Sequence, residues 1–280
     1  MITSGTGTKV GVYVDAANLY RNGGQRLRYD VLREFACRDS AEPVRLNAYV
    51  SFDPERARSD KTYERGQSSF HSALRDLGYK VMVKDVKWYT DESGKRYGKA
   101  NSDLDLAVDA LLQSENLDRV LIASGDGDFV RVVQALQNKG CRVEVMALDN
   151  VSSALRREAD LFLSGYLIPN LIPTRSSVNG QSQPEWGEVG SRARGWCYWH
   201  EPEKGYGFMR VLQKVAPGLW LTDSRHPDSP YETVYFHDSQ LRDFPTQRLP
   251  NRNCLFEFEI AQARSGEGTQ AIDVQLVSEH

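Results

Sequence analysis

Across the first 172 residues, short apolar runs alternate with stretches whose apolar positions recur every three or four residues. Val10 to Val14 reads as a buried strand, and Tyr29 to Arg38 as a helix carried by Val31, Leu32, Phe35 and Ala36. Leu46 to Phe52 predicts a second strand, and residues 55–77 a single helix stopped by Gly78. Lys80 to Val83, Arg119 to Ala123 and Arg142 to Ala147 predict three further strands. Residues 103–114 and Phe129 to Lys139 predict helices, the second closed by Gly140, and Ser153 is expected to cap a last helix through Leu161. Such alternation predicts an α/β domain built on a doubly wound, mostly parallel sheet.

The pattern then breaks. Residues 173–193 are rich in Pro, Gly, Ser and Gln with almost no apolar periodicity, so a flexible linker is expected there. Residues 194–280 carry short runs of aromatic and β-branched residues between Gly, Pro and Asp turns, which predicts a small all-β barrel. The expected organisation is an α/β domain over 1–172, the linker, and a barrel over 194–280.

Charge and composition narrow the field only slightly. The net charge is −3, with 24 basic and 24 acidic residues before position 173 and 11 and 14 after it. A broad basic footprint is therefore missing, although carboxylates gathered around a cation could mask local basic strips. Cys37, Cys141, Cys197 and Cys254 lie far apart without zinc spacing and are expected to be reduced. The N-terminal run lacks the pattern of a secretory signal and no apolar run is long enough for a membrane span, so a cytoplasmic protein with no membrane partner is expected.

The acids stand out by position. In open α/β sheets reactive groups sit beyond the carboxyl ends of strands. Asp15 ends the first strand in VYVDAANLY, with Asn18 three residues on; Asp103 opens a helix in KANSDLDLAVDAL; Asp126 and Asp128 follow a strand in VLIASGDGDF. Carboxylates brought together repel unless a cation intervenes, and hard oxygen ligands select Mg²⁺ or Mn²⁺. Each piece also has a plainer reading: Asp15 as a turn former, Asn18 as a satisfied turn residue, Asp126 or Asp128 as a helix cap. Asp105 and Asp109 read as solvated or supporting. Lys84, Lys87, Lys95, Arg96 and Lys99 surround a hairpin leading to Asp103, and Arg156 and Arg157 begin a helix; each set could meet phosphate or water.

In that order, VYVDAANLY, the acid before LDLAVDAL, SGDGDF and SSALRREADLF resemble the NYN (LabA-like) domains of the PIN-like nuclease superfamily, over roughly residues 9–172. The resemblance implies a metal site at Asp15, Asp103, Asp126 and Asp128 with Asn18 beside it, Mg²⁺ or Mn²⁺ as cofactor, and hydrolysis of phosphodiesters, usually in RNA. The NSD at 101–103 departs from the family's usual small residue and Val before the acid.

In the C-terminal segment, GWCYWHEPEKGYGFM and VYFHDS set aromatics at alternate positions, and exposed aromatics on one barrel face stack unpaired bases. These runs are similar to the paired RNA-binding motifs of cold-shock (OB-fold) domains, which implies a nucleic-acid face at Trp199, Lys204, Tyr206, Phe208, Tyr235 and His237. His200 and Asp238 stand where bacterial cold-shock proteins usually carry Phe, and the Arg210–Thr233 loop is longer than usual. Together the expectation is a metal-dependent endoribonuclease acting on single-stranded RNA delivered by the barrel. A non-catalytic RNA-binding adaptor is the alternative, a single-strand DNA nuclease ranks third, and a homo-oligomer is left open. A haloacid-dehalogenase-type phosphatase would need DxD where DAAN stands, and a Toprim-type site would pair its DxD with a Glu after the first strand.

Overall fold

The computed structural model describes residues 7–175, 184–263, 266 and 268–280, apart from the side chain of Lys99. The chain divides into two compact units, one comprising residues up to 25 and 29–162, the other residues 26–28 and 163–280.

In the first unit β1 (Lys9–Asp15) is followed by α1 (Ala16–Arg21), α2 (Tyr29–Ala36) and β2 (Glu42–Phe52). Next come α3 (Pro54–Ser59), α4 (Lys61–Asp76), β3 (Lys80–Asp85) and a hairpin of β4 (Lys87–Thr90) and β5 (Arg96–Lys99). Then follow α5 (Ser102–Gln113), β6 (Arg119–Ala123), α6 (Val130–Asn138), β7 (Arg142–Ala147), α7 (Ser153–Glu158) and β8 (Leu161–Ser164), within which the division between the units falls. The sheet order is β3-β2-β1-β6-β7-β8, and β1–β2, β2–β3, β1–β6 and β6–β7 are all parallel. The chain begins at the centre, winds out through β2 and β3, then returns to the other side of β1 through β6. Strand order therefore reverses between β1 and β6, the switch point beyond which open α/β sheets bind ligands. The buried stripes of α5 and α6 (Leu106, Ala110, Val133, Leu136) pack with Tyr13, Val120, Ile122 and Val145 of the sheet.

Three expectations are corrected. The helix over 55–77 is two helices, because the Asp60 side chain accepts from the Tyr63 amide and caps α4 while Asp60 ends α3. The cap of α7 is Ser152, whose hydroxyl accepts from the Leu155 amide, and not Ser153. That helix stops at Glu158, and Leu161 lies in a strand.

The second unit carries β9 (Arg192–Glu201), β10 (Tyr206–Leu212), β11 (Tyr231–His237), β12 (Leu241–Arg242), β13 (Asn251–Gln262) and β14 (Thr269–Glu279). The order is β11-β10-β9-β13-β14-β12, and an added β11–β14 pairing closes five strands into a ring. Cys197, Met209, Val211, Val234, Phe236, Phe256 and Phe258 fill it. Residues 210–212 and 231–233, taken as loop ends from the sequence, pair within β10 and β11, so the connection is shorter and spans 213–230.

The expected linker is ordered at both ends. Trp186 is buried in the core of the second unit and its Nε1 donates to the Leu212 carbonyl. Arg175 donates its amide to Glu257, and Arg194, itself buried, donates to the Ile172 and Pro173 carbonyls. The middle of the expected linker, 176–183, lies outside the described residues. The second compact unit begins again at residue 163 and so includes the buried residues Tyr166, Leu167, Ile168, Leu171 and Ile172.

Candidate functional site

The C-terminal ends of β1 and β6, flanking the switch point, present two of the acidic segments. Asp15 is the last residue of β1 and is 2% exposed. Its Oδ1 accepts from the Asn18 amide at 2.9 Å and its Oδ2 from the Ser124 hydroxyl at 3.2 Å. Ser124 in turn accepts from the Asp126 amide, so one hydroxyl ties the two segments together. Asn18 adds a second tie: its Oδ1 accepts from the Gly125 amide at 3.1 Å. Asp126 caps the 3-10 turn that follows β6 by accepting from the Asp128 amide. A Cβ on Gly127 would stand 2.8 Å from the Ser152 hydroxyl, so a side chain there would displace the group that caps α7.

Asp103, in the first turn of α5, completes the group electrostatically. Burial first, then repulsion from Asp126, pushes its carboxyl above the ordinary range, with Asp128 adding to the effect. Burial likewise raises Asp15, and Asp103 raises it further, while the Asn18 amide and Ser124 hydroxyl act in the opposite sense. Arg21, on α1, lowers both acids and is the nearby cation that pattern reading overlooked. Asp103 therefore links the acids, repelling Asp15 as well as Asp126 and Asp128; Asp15 is buried, Asp103 and Asp126 are half-buried and Asp128 is exposed. Among the described residues no three Asp, Glu, His or Cys side chains already stand at metal-holding distances. The donor chemistry nevertheless fits a hard divalent ion, because hard oxygen donors crowd together with Arg21 offsetting part of their charge, and Mg²⁺ commonly takes just one or two carboxylates and keeps its waters.

The supporting acids are engaged elsewhere. Asp105 pairs with Lys84 at 2.5 Å, and Asp109 accepts from the Tyr49 hydroxyl at 2.8 Å. The Arg156 guanidinium lies over the Phe162 ring, while Arg157 is exposed.

In the second unit, Trp199, Tyr206, Phe208 and Tyr235 form one connected set of rings, with Trp199–Tyr206 centroids 5.4 Å apart and Phe208–Tyr235 6.0 Å apart. Cross-strand register explains it: Phe208 pairs with both Trp199 and Tyr235, and Tyr206 faces His237. Trp199, Lys204 and His237 are exposed. Between Phe208 and Met209 the register slips, so Cys197 rather than Tyr198 faces Met209 and Tyr198 becomes an extra residue. The bulge keeps Tyr198 half-exposed against Phe208 under the Arg210 guanidinium, where strict alternation would have buried it. His200 is buried, stacks on Phe236 and bonds Asp238 through its Nε2 at 2.8 Å, which engages the Asp238 carboxylate.

A family model described as the NYN domain matches residues 9–169. The chain is 30% identical over 186 residues to the Low amplitude and bright protein LabA of Synechococcus elongatus, covering 64% of this chain and 91% of that protein. A crystal structure of a protein of unknown function from Vibrio parahaemolyticus is similar at 27% identity with a TM-score of 0.45, covering 58% of this chain and 96% of the other. With the sheet order, the strand-end acids and a match over more than half of its length, the chain belongs to the NYN-domain family.

Proposed function

We propose that this protein is a metal-dependent ribonuclease that hydrolyses phosphodiester bonds of single-stranded RNA, with Asp15, Asp103, Asp126 and Asp128 as the residues that would hold Mg²⁺ or Mn²⁺. The observation that carries the reading is that Ser124 and Asn18 tie Asp15 to the Asp126 segment at the switch point of the sheet, with Asp103 close enough to repel both acids. NYN domains are PIN-like and generally act on RNA, and the motifs at these positions match theirs.

When bound, the ion would supply charge against the scissile phosphate and make a water easier to ionise. The protein groups do the placing. Asn18 and Ser124 hold the Asp15 carboxylate in one orientation, and Ser124 and Asn18 fix the segment that carries Asp126. Arg21 offsets part of the negative charge that an approaching phosphate would meet. Asp103, raised by burial and by its acidic neighbours, is able to hold a proton at a pH where an ordinary carboxyl has lost it.

We read the C-terminal ring of strands as an OB-fold of the cold-shock type. Its face of Trp199, Tyr206, Phe208 and Tyr235, with Lys204 and His237 beside it, suits unpaired bases, each stack contributing about 1–3 kcal/mol. The capping bonds that Asp15 and Asp126 already accept, from the Asn18 and Asp128 amides, give both acids a structural duty and favour a second reading, a non-catalytic RNA-binding adaptor.

Incubating labelled single-stranded RNA and DNA with the protein in Mg²⁺, Mn²⁺ or EDTA separates the two. Cleavage is expected with either ion and none in EDTA. Asp126→Asn should abolish turnover while preserving fold and most RNA affinity. Undiminished cleavage by folded Asp126→Asn would overturn the site. RNA binding without cleavage under every condition would establish the adaptor.

A further inference from the structure

The β4–β5 hairpin has two unlike faces. Register pairs Trp88 with Gly98 and Tyr89 with Tyr97, so pleating places Trp88, Thr90, Arg96 and Gly98 on one side and Lys87, Tyr89 and Tyr97 on the other. The first side is structural. Trp88 Nε1 donates to Asp53, Arg96 pairs with Glu55 at 2.5 Å, and the Arg96 guanidinium lies 4.8 Å from the Trp88 ring centroid. Gly98 belongs to that side, since a Cβ there would stand 2.7 Å from Val86 and in contact with the Trp88 ring.

The second side shows no such anchor among the described residues. Tyr89 and Tyr97 stack on each other at 5.8 Å, and they are 46% and 48% exposed. With Lys87 they line one wall of a cleft of about 490 Å³, within the size range of small-ligand sites. Asn101, Leu104 and Asp105, at the start of α5, line the other wall. Lys84 and Lys87 offset the cleft's two carboxylates, Asp85 and Asp105, with Lys84 closing on Asp105. The walls are thus close to neutral, aromatic and partly apolar, which suits a flat base rather than a free anion, and the exposed Lys87 among them suits the phosphate attached to it. Asp103 sits on the same first turn of α5, within about 5.4 Å of helix rise of both Asn101 and Asp105.

We propose that this cleft is a nucleotide subsite of the first unit: it takes one unpaired base, against Tyr89 and Tyr97, of the strand whose phosphodiester lies at the acidic group. The inference rests on the nucleic-acid reading above and adds a binding site to it. Through this subsite the NYN unit itself grips the strand next to Asp103, independently of the aromatic face in the second unit.

The test uses the full chain in Ca²⁺ or EDTA, with a ten-nucleotide single-stranded RNA carrying a photoactivatable uridine. Crosslinks are expected in the peptide holding Tyr89 or Tyr97 as well as in the one holding Trp199. Tyr89→Ala with Tyr97→Ala should remove the first crosslink, keep the second, and weaken binding by at least about five-fold, the lower end for one stacked base. Tyr89→Phe with Tyr97→Phe keeps both rings and should bind like wild type, which separates stacking from disturbance of the hairpin. Unchanged affinity and no hairpin crosslink, with Trp199 still crosslinked, would overturn the subsite and leave the nucleic-acid reading standing. Failure of wild-type protein to bind any oligonucleotide would overturn both.

Discussion

Asp103 shows how a single carboxyl links the site to stability. Its folded-state value lies above its unfolded one, through burial and then repulsion from Asp126, against weaker help from Ser102 and Arg21. The folded chain therefore holds this proton more tightly. The resulting stabilisation is complete below the unfolded value, about 3.9, and is lost as pH rises through the folded value. At neutral pH without metal the ionised group works against folding. Asp103→Asn is expected to raise the melting temperature at pH 7 in EDTA and to leave it nearly unchanged at pH 3. Thermal melts of both proteins at the two pH values check this, and a lower melting temperature for the variant at pH 7 would show that the carboxylate makes a net stabilising contact.

Among the elements, the β9–β10 pair depends on a close approach that glycine permits. A Cβ on Gly207 would stand 2.7 Å from the Trp199 carbonyl oxygen and 2.6 Å from the Phe236 ring, beside the bulge that exposes Tyr198. Gly207→Ala must push β9 or Phe236 aside, an overpacking cost of about 1–3 kcal/mol. A lower melting temperature is expected, with altered tryptophan emission as Trp199 shifts; a wild-type melt and spectrum would count against this packing. Elements with strong apolar periodicity, such as α5, α6, β6 and β7, were legible in the sequence. The break at Asp60 was not, because apolar spacing runs on through residues 55–77 while the cap acts through one side-chain bond to the Tyr63 amide. The bulge at Tyr198 escaped for the same kind of reason, since period-two reading assumes an unbroken ladder.

For the whole molecule, the second unit reaches back to residue 163. A fragment of residues 194–280, the barrel expected from sequence, lacks Trp186 and leaves the buried Arg194 without the Ile172 and Pro173 carbonyls. Loss of the tryptophan alone should cost about 3–5 kcal/mol. Residues 163–280 are expected to unfold in one cooperative transition by circular dichroism, and residues 194–280 to melt far lower or not to fold. Equal melting of the two fragments would place Trp186 outside the barrel's stability.

What the sequence determined by itself was what depends on neighbours along the chain. Apolar spacing marked the strands and most helices, and the motifs marked which acids and aromatics to watch. Trp186 was the visible exception within its Pro/Gly/Ser-rich stretch, a large apolar residue that a solvated linker has no use for, but nothing local named its partners. Tertiary structure decided what depends on distant residues: that Ser124 bridges Asp15 to the Asp126 segment, that Arg21 stands by the acids, that Tyr89 and Tyr97 face a cleft, and where one unit ends. The physical reason is range. Periodicity reports only which face of an element is buried, whereas hydrogen bonds and unscreened charge at the switch point act between segments more than 100 residues apart.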